Sequence, residues 1–160
     1  MQKKQSLHVA GWIVGFQAVG FLLGFITKNN ISSWYGGLIK SELTPPPFVF
    51  SIVWPLLYLL LACLGWRIWK EQRNNPNRDS RNIWFLFITQ MIMNWLWTPI
   101  FFQFHFIGLG LIFLFLLIGI NSYISWKLRN KNLIQSLLFL PYILWLIFAT
   151  YLNATIYWLN

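Results

Sequence analysis

The sequence predicts an all-α protein, a polytopic membrane bundle of five transmembrane helices occupying residues 1–160 as one domain. Three observations lead there. Hydrophobic residues make up 58% of the chain and charged residues only 9%, whereas a soluble domain carries about 25% charged residues to face water. Five apolar runs of about 19 to 22 residues follow one another, each giving roughly 30 Å of helix, the thickness of a bilayer core. The Lys and Arg residues gather at the ends of those runs, where they set topology. The net charge of +9 therefore implies no nucleic-acid partner, and the partner that matters is the lipid bilayer.

The first run, 9–27, is longer than the apolar part of a signal peptide and no small-residue cleavage site follows, so it reads as a retained helix. Gly11 and Gly15 form one small-xxx-small pair on it, and Gly20 and Gly24 another, on nearly opposite faces. Either one pair serves the bundle interior and the other a second chain, or both serve internal packing. The connection 28–47 is the longest, an extramembrane lid loop. Trp34, Tyr35, Leu38 and Ile39 recur at helical spacing there, which predicts a short amphipathic helix on or over the bundle. Pro45, Pro46 and Pro47 hold the chain extended and start the second span, 48–69. Asn74, Asn75 and Pro76 mark a polar turn before the third span, 83–104. Only His105 and Phe106 separate it from the fourth, 107–126, so the two form a tight antiparallel hairpin. A short basic loop leads to the fifth span, 137–158. Pro55, Pro99 and Pro141 each remove a backbone donor and can kink a helix.

Chemistry is sparse. The acids Glu42, Glu71 and Asp79 fall in loops, and His8 and His105 fall at helix ends. Proton relays and acid–base catalysis need titratable groups inside a pocket, so both are disfavoured. Cys63 stands alone in an apolar run, without a disulfide partner or companion metal ligands. Gln17, Gln90, Asn94, Asn121 and Asn153 are the amides within the spans, and their plainest role is helix–helix hydrogen bonding.

Some polar and aromatic positions share faces. Gln90, Asn94, Trp97 and Phe101 repeat along one side of the third span, and Trp145, Ala149, Leu152 and Asn153 along one side of the fifth. Trp54 and Tyr58 are one turn apart on the second. Trp12, Trp66, Trp69, Trp84, Trp126 and Trp158 lie near span ends, as interfacial anchors do. Trp97 and Trp145 lie deeper. They either pack the core or wall a flat site whose indole N–H groups fix a planar ligand, with small Ala149 leaving room.

These residues together resemble the translocator protein family, the tryptophan-rich sensory proteins or peripheral benzodiazepine receptors (TspO), in its bacterial-type members. Trp34-Tyr35-Gly36-Gly37-Leu38-Ile39-Lys40, then Leu43-Thr44-Pro45-Pro46, Phe50, Val53, Trp54 and Tyr58, is similar to the family's first loop and second helix. Asn94, Trp97, Thr98, Phe101 and Phe102 resemble its third-helix pattern. Pro141-Tyr142, Trp145, Phe148-Ala149-Thr150 and Leu152-Asn153 resemble its fifth. The resemblance implies a dimerising five-helix bundle of the bacterial inner membrane. It implies a receptor or transporter for porphyrin, haem-like tetrapyrroles and related planar hydrophobic ligands, with no required cofactor. The ligand-binding residues it implies are Trp34, Tyr35, Pro46, Trp54, Tyr58, Asn94, Trp97, Phe101, Trp145, Ala149 and Leu152. The ring would insert among Trp54, Trp97 and Trp145 beneath a lid closed by Tyr35. The alternatives are a light- and oxygen-dependent porphyrin-degrading enzyme with Trp as electron donor, and a regulatory scaffold read by another protein. Ser41 after Lys40 and Leu43 before Thr44 depart from the family pattern and imply a lid that is looser or binds differently. No base follows Leu152 and Tyr157, so the sterol motif is incomplete.

Lys3, Lys4, Arg67, Lys70, Arg73, Arg78, Arg81, Lys127, Arg129 and Lys131 share one side of the five-span topology, against Lys28 and Lys40 on the other. That bias predicts a cytoplasmic N-terminus and an exported C-terminus. Single cysteines at positions 3 and 160, labelled from outside intact cells, are expected to react only at 160. Labelling at 3 alone would reverse the orientation.

Overall fold

The structure, a computed structural model, describes residues 2–160, except the side chains of 2–4, 29 and 32. Lys3 and Lys4 of the charge count therefore lie outside the described side chains. The elements are α1 (Gln2–Asn30), a π-helical turn (Ile31–Tyr35), α2 (Pro47–Asn74), α3 (Arg78–Phe102), α4 (Ile107–Arg129), α5 (Leu133–Leu138) and α6 (Leu140–Leu159). Among the described residues five segments are long and apolar enough to cross a membrane, the fifth being α5 and α6 end to end. A helix satisfies its own backbone, which hydrocarbon cannot do for it. Phe21, Phe25, Leu56 and Leu144 stand exposed on the outside, as lipid-facing side chains should.

The helices outrun the apolar runs because their ends have polar partners. On α2, Lys70 lies 5.1 Å over Trp66 and the Arg73 guanidinium 5.3 Å over Trp69, so the stems stay apolar and the charges reach the interface. At the start of α3, Asn77 Oδ1 accepts from the Ser80 N–H at 2.8 Å while Ser80 Oγ accepts from the Asn77 N–H at 3.0 Å. That capping box fixes the helix entry. Between α3 and α4, His105 takes a φ of 59°, and the Phe106 N–H reaches back to the Ile100 carbonyl at 3.0 Å. A left-handed residue at a helix end closes the hairpin in the space of His105 and Phe106.

Two expectations need correction. The separate amphipathic helix over Trp34–Ile39 does not form. The chain instead unwinds the end of α1 into its wider π-helical turn, ends at Gly36–Gly37 and runs without regular helix to α2. The cause is Lys40, whose Nζ donates to the carbonyls of Tyr35 at 2.8 Å and Leu38 at 2.9 Å and so folds the segment back on itself. Trp12 and Trp84 are not free anchors either. Their rings meet at 5.9 Å, and Trp12 also packs close to Gly65. Trp126 and Trp158 remain exposed, as anchors are.

Packing is uneven along the bundle. α1 lies along α2 and α3, α3 along α4, and α4 along α6. Leu61, Ala62, Leu64, Phe87, Leu117 and Ile124 form the tight core. No residue of α2 before Leu57 is buried, so its loop-side end is only partly covered by the bundle. There α2 and α6 face each other across an apolar cleft of about 420 Å³, walled by Val53, Leu57, Leu144, Trp145 and Phe148.

The glycines of α1 divide differently from the sequence pairing. A Cβ at Gly20 would stand 2.6 Å from the Tyr58 ring, whereas Gly11, Gly15 and Gly24 have open space. Gly20→Ala should therefore destabilise the bundle by about 1 to 3 kcal/mol through overpacking. Gly15→Ala should not. Thermal midpoints in a single detergent measure the difference, and equal midpoints would mean Tyr58 yields freely.

Candidate functional site

The aromatic residues on the loop side form two clusters. The first joins α2 and α6. Trp54 and Trp145 meet edge to face, centroids 6.4 Å apart at 85°. Tyr58 lies beside Trp54 at 5.5 Å, and Phe50 and Phe148 flank Trp145 at 5.7 and 5.8 Å. Edge-to-face contact sets the positive ring edge against the negative face of its neighbour, so the rings hold a fixed mutual angle. The cluster borders the apolar cleft through Trp145.

Beneath it an amide connects three helices. Tyr58 donates its hydroxyl to Asn94 Oδ1 at 3.2 Å, and Asn94 Nδ2 donates to the Tyr142 hydroxyl at 2.8 Å. All three side chains are buried. Trp145 Nε1, by contrast, is a buried donor with no partner among the described residues. A buried N–H left unpaired costs about 1 to 3 kcal/mol, so it is a standing invitation to an acceptor. Ala149 follows one turn later, partly buried against the core, and Leu152 is buried beyond it. Small Ala149 and the unpaired indole give this face little bulk and one directional donor.

The second cluster joins the π-helical turn to α3. Trp97 stacks on Phe101 at 5.0 Å and 11°, and Phe102 meets both edge-on. Trp34 packs on Phe101 at 5.5 Å and stacks on His105 at 4.0 Å. Tyr35 packs on Phe102 at 5.5 Å. Trp97 is committed within this cluster, since its indole donates to the Gly110 carbonyl at 3.1 Å. Gly110 permits that approach, because a Cβ there would stand 3.3 Å from the same nitrogen.

The eleven sequence-predicted site residues thus separate. Trp54, Tyr58, Asn94 and Trp145 come together around the α2–α6 face, with Ala149 and Leu152 along the same helix. Trp34, Tyr35, Trp97 and Phe101 form the other cluster. Pro46 is exposed and extended, with ψ of 151°, and directs the chain into α2. Tyr142 and Phe148 were within the quoted fifth-helix motif but absent from the predicted set. Their spacing from Trp145 is the signal that would have found them.

Burial of Tyr35 raises its phenol above the ordinary value of 10.0. The neutral phenol is the form that docks. Its contribution to docking of the loop is fully present below pH 10 and is lost as pH rises through the raised value. A phenolate absorbance titration of wild type against Tyr35→Phe should show one late-ionising tyrosine missing from the variant. Loss of a tyrosine that ionises at the ordinary value instead would place Tyr35 in water.

Comparison with known proteins follows the same pattern. The family model described as the TspO/MBR family matches residues 12–159. The "Tryptophan-rich protein TspO" of Archaeoglobus fulgidus is 34% identical over 155 residues, covering 96% of this chain and 97% of that one. The protein of the same name from Bacillus cereus is 33% identical over 160 residues, covering 99% and 98%. The "Translocator protein" of Sus scrofa is 30% identical over 148 residues, covering 90% and 87%.

Proposed function

The chain belongs to the TspO/MBR family, and from that membership and its loop-side geometry we propose a membrane receptor or transporter for porphyrin-like tetrapyrroles and related planar hydrophobic ligands. The observation that carries the reading is Trp145, whose buried indole N–H lacks a partner where its ring meets Trp54 beside an apolar cleft. A planar ring offers apolar faces to the cleft and nitrogen or carboxylate acceptors to the donor. The ligand lies between α2 and α6, with Ala149 giving it room, and does not displace Trp97. The same reading places the protein in a bacterial inner membrane with its N-terminus cytoplasmic. It also makes the protein a homodimer. Open Gly11 and Gly15 line an outer groove with Trp12, Phe16 and Trp95, and small residues let a second helix approach closely.

Protoporphyrin IX, titrated in the dark, should quench tryptophan fluorescence on binding. Trp145→Phe keeps the aromatic bulk but removes the donor, and should weaken binding by about 1 to 2 kcal/mol. Ala149→Leu should weaken it further by crowding the face beside Trp145. Trp158→Phe is the control, because Trp158 is 80% exposed. Equal affinities for all four proteins would move the pocket elsewhere. Loss of porphyrin absorbance on illumination would favour the degrading enzyme instead.

A further inference from the structure

The loop ahead of α2 is fastened at both ends. At one end Trp34 and Tyr35 pack on α3, as described. At the other, the Asn160 side chain, just past α6, pairs in both directions with one backbone unit. The Ile39 N–H donates to Asn160 Oδ1 at 2.9 Å, and Asn160 Nδ2 donates to the Ile39 carbonyl at 3.0 Å. Nδ2 also donates to the Ile156 carbonyl at 3.0 Å, which ties the carboxamide to the last turn of α6. A carboxamide carries donor and acceptor side by side, as a peptide unit does, so it can stand in for a neighbouring strand. Two residues along the loop, Ser41 Oγ and the Tyr151 hydroxyl of α6 lie 2.8 Å apart. Ser41, one of the departures from the family pattern, thus supplies a tether.

Between those points the loop behaves as one piece. Lys40 Nζ grips the carbonyls of Tyr35, Gly36 and Leu38 at 2.8, 3.3 and 2.9 Å, and its charge sits 5.0 Å from the Tyr35 ring centre. All of those contacts are internal to the loop. Release at Ile39 therefore leaves the fold from Tyr35 to Lys40 intact, and the segment can swing rather than unravel.

We propose that Asn160 is a positioning residue for the lid, a reversible latch by which α6, the helix carrying Trp145, holds the loop across the outer end of the bundle. The consequence for ligand access rests on the site proposed above. The latch itself does not. Its hydrogen bonds to Ile39 are exposed, so water replaces them readily and the closed state is favoured only modestly. A closed lid slows entry and exit alike. Opening it changes both rates in the same direction and changes the equilibrium affinity less.

The test uses the full chain in detergent. In ligand-free protein, Asn160→Leu should raise hydrogen exchange at the Ile39 amide about tenfold, the scale of the net hydrogen bonding removed. Tyr151→Phe should raise it by less, and Asn160→Gln, which keeps the carboxamide, should recover part of the protection. Stopped-flow binding of protoporphyrin IX to Asn160→Leu should show association and dissociation both faster, by similar factors. A contact that merely stabilised α6 would shift the thermal midpoint without that parallel change. Unaltered exchange at Ile39 overturns the latch whatever the porphyrin does. Raised exchange with unaltered rates overturns its role in access. If wild type binds no porphyrin, the site reading fails, and exchange at Ile39 still decides the latch.

Discussion

The carboxamide of Asn94 accepts from Tyr58 on α2 and donates to Tyr142 on α6, and the separation of those two helices follows from it. In hydrocarbon no water competes for these groups, and helices gain nothing by hiding apolar surface that lipid already hides. A shared amide is one of the few devices that can specify where a third helix holds two others. On one side of Asn94 the chain closes around Leu61, Ala62 and Phe87. On the other, α2 has no buried side chain before Leu57, and the cleft opens. Trp54 and Trp145 stand on the open side, so the tie sets the width at which they meet.

The tryptophans illustrate how one residue type serves unlike ends in a membrane bundle. Trp158 and Trp126 sit outside, where an amphipathic ring suits the interface. Trp12 and Trp84 fill space between helices. Trp97 is pinned by a backbone carbonyl, and Trp145 keeps its donor unspent. Trp97 and Trp145 read alike in the sequence, both deep and both on polar faces. What separates them is Gly110, whose carbonyl comes within reach of one indole and not the other. That is a fact about α4, invisible from the helices that carry the tryptophans.

The spans were legible because lipid imposes length and composition directly, and the α3–α4 hairpin because two residues leave no other way to turn. The aromatic cluster between α2 and α6 was half legible. Helical spacing found the faces bearing Asn94, Trp54 and Trp145, and family resemblance assembled them, but spacing within a helix cannot say which faces meet. The loop ahead of α2 was not legible. Trp34 through Ile39 do recur at helical spacing, yet Lys40 draws the carbonyls of Tyr35 and Leu38 onto a single ammonium, and that folding is not periodic. The break between α5 and α6 was equally hidden. Pro141 sits in the first turn of α6, where its missing N–H goes unneeded, while Ser125 holds α5 through Ser136 at 3.0 Å.

Among the described residues the buried polar side chains are all neutral: the amides of Gln90, Asn94, Asn121 and Asn153, the hydroxyls of Thr27, Ser80, Ser125, Ser136 and Thr150, and the phenols of Tyr58 and Tyr142. An elementary charge crossing the bilayer exchanges about 2.3 kcal/mol with each 100 mV of membrane potential. Among the described residues the membrane potential therefore finds no buried side-chain charge on which to act.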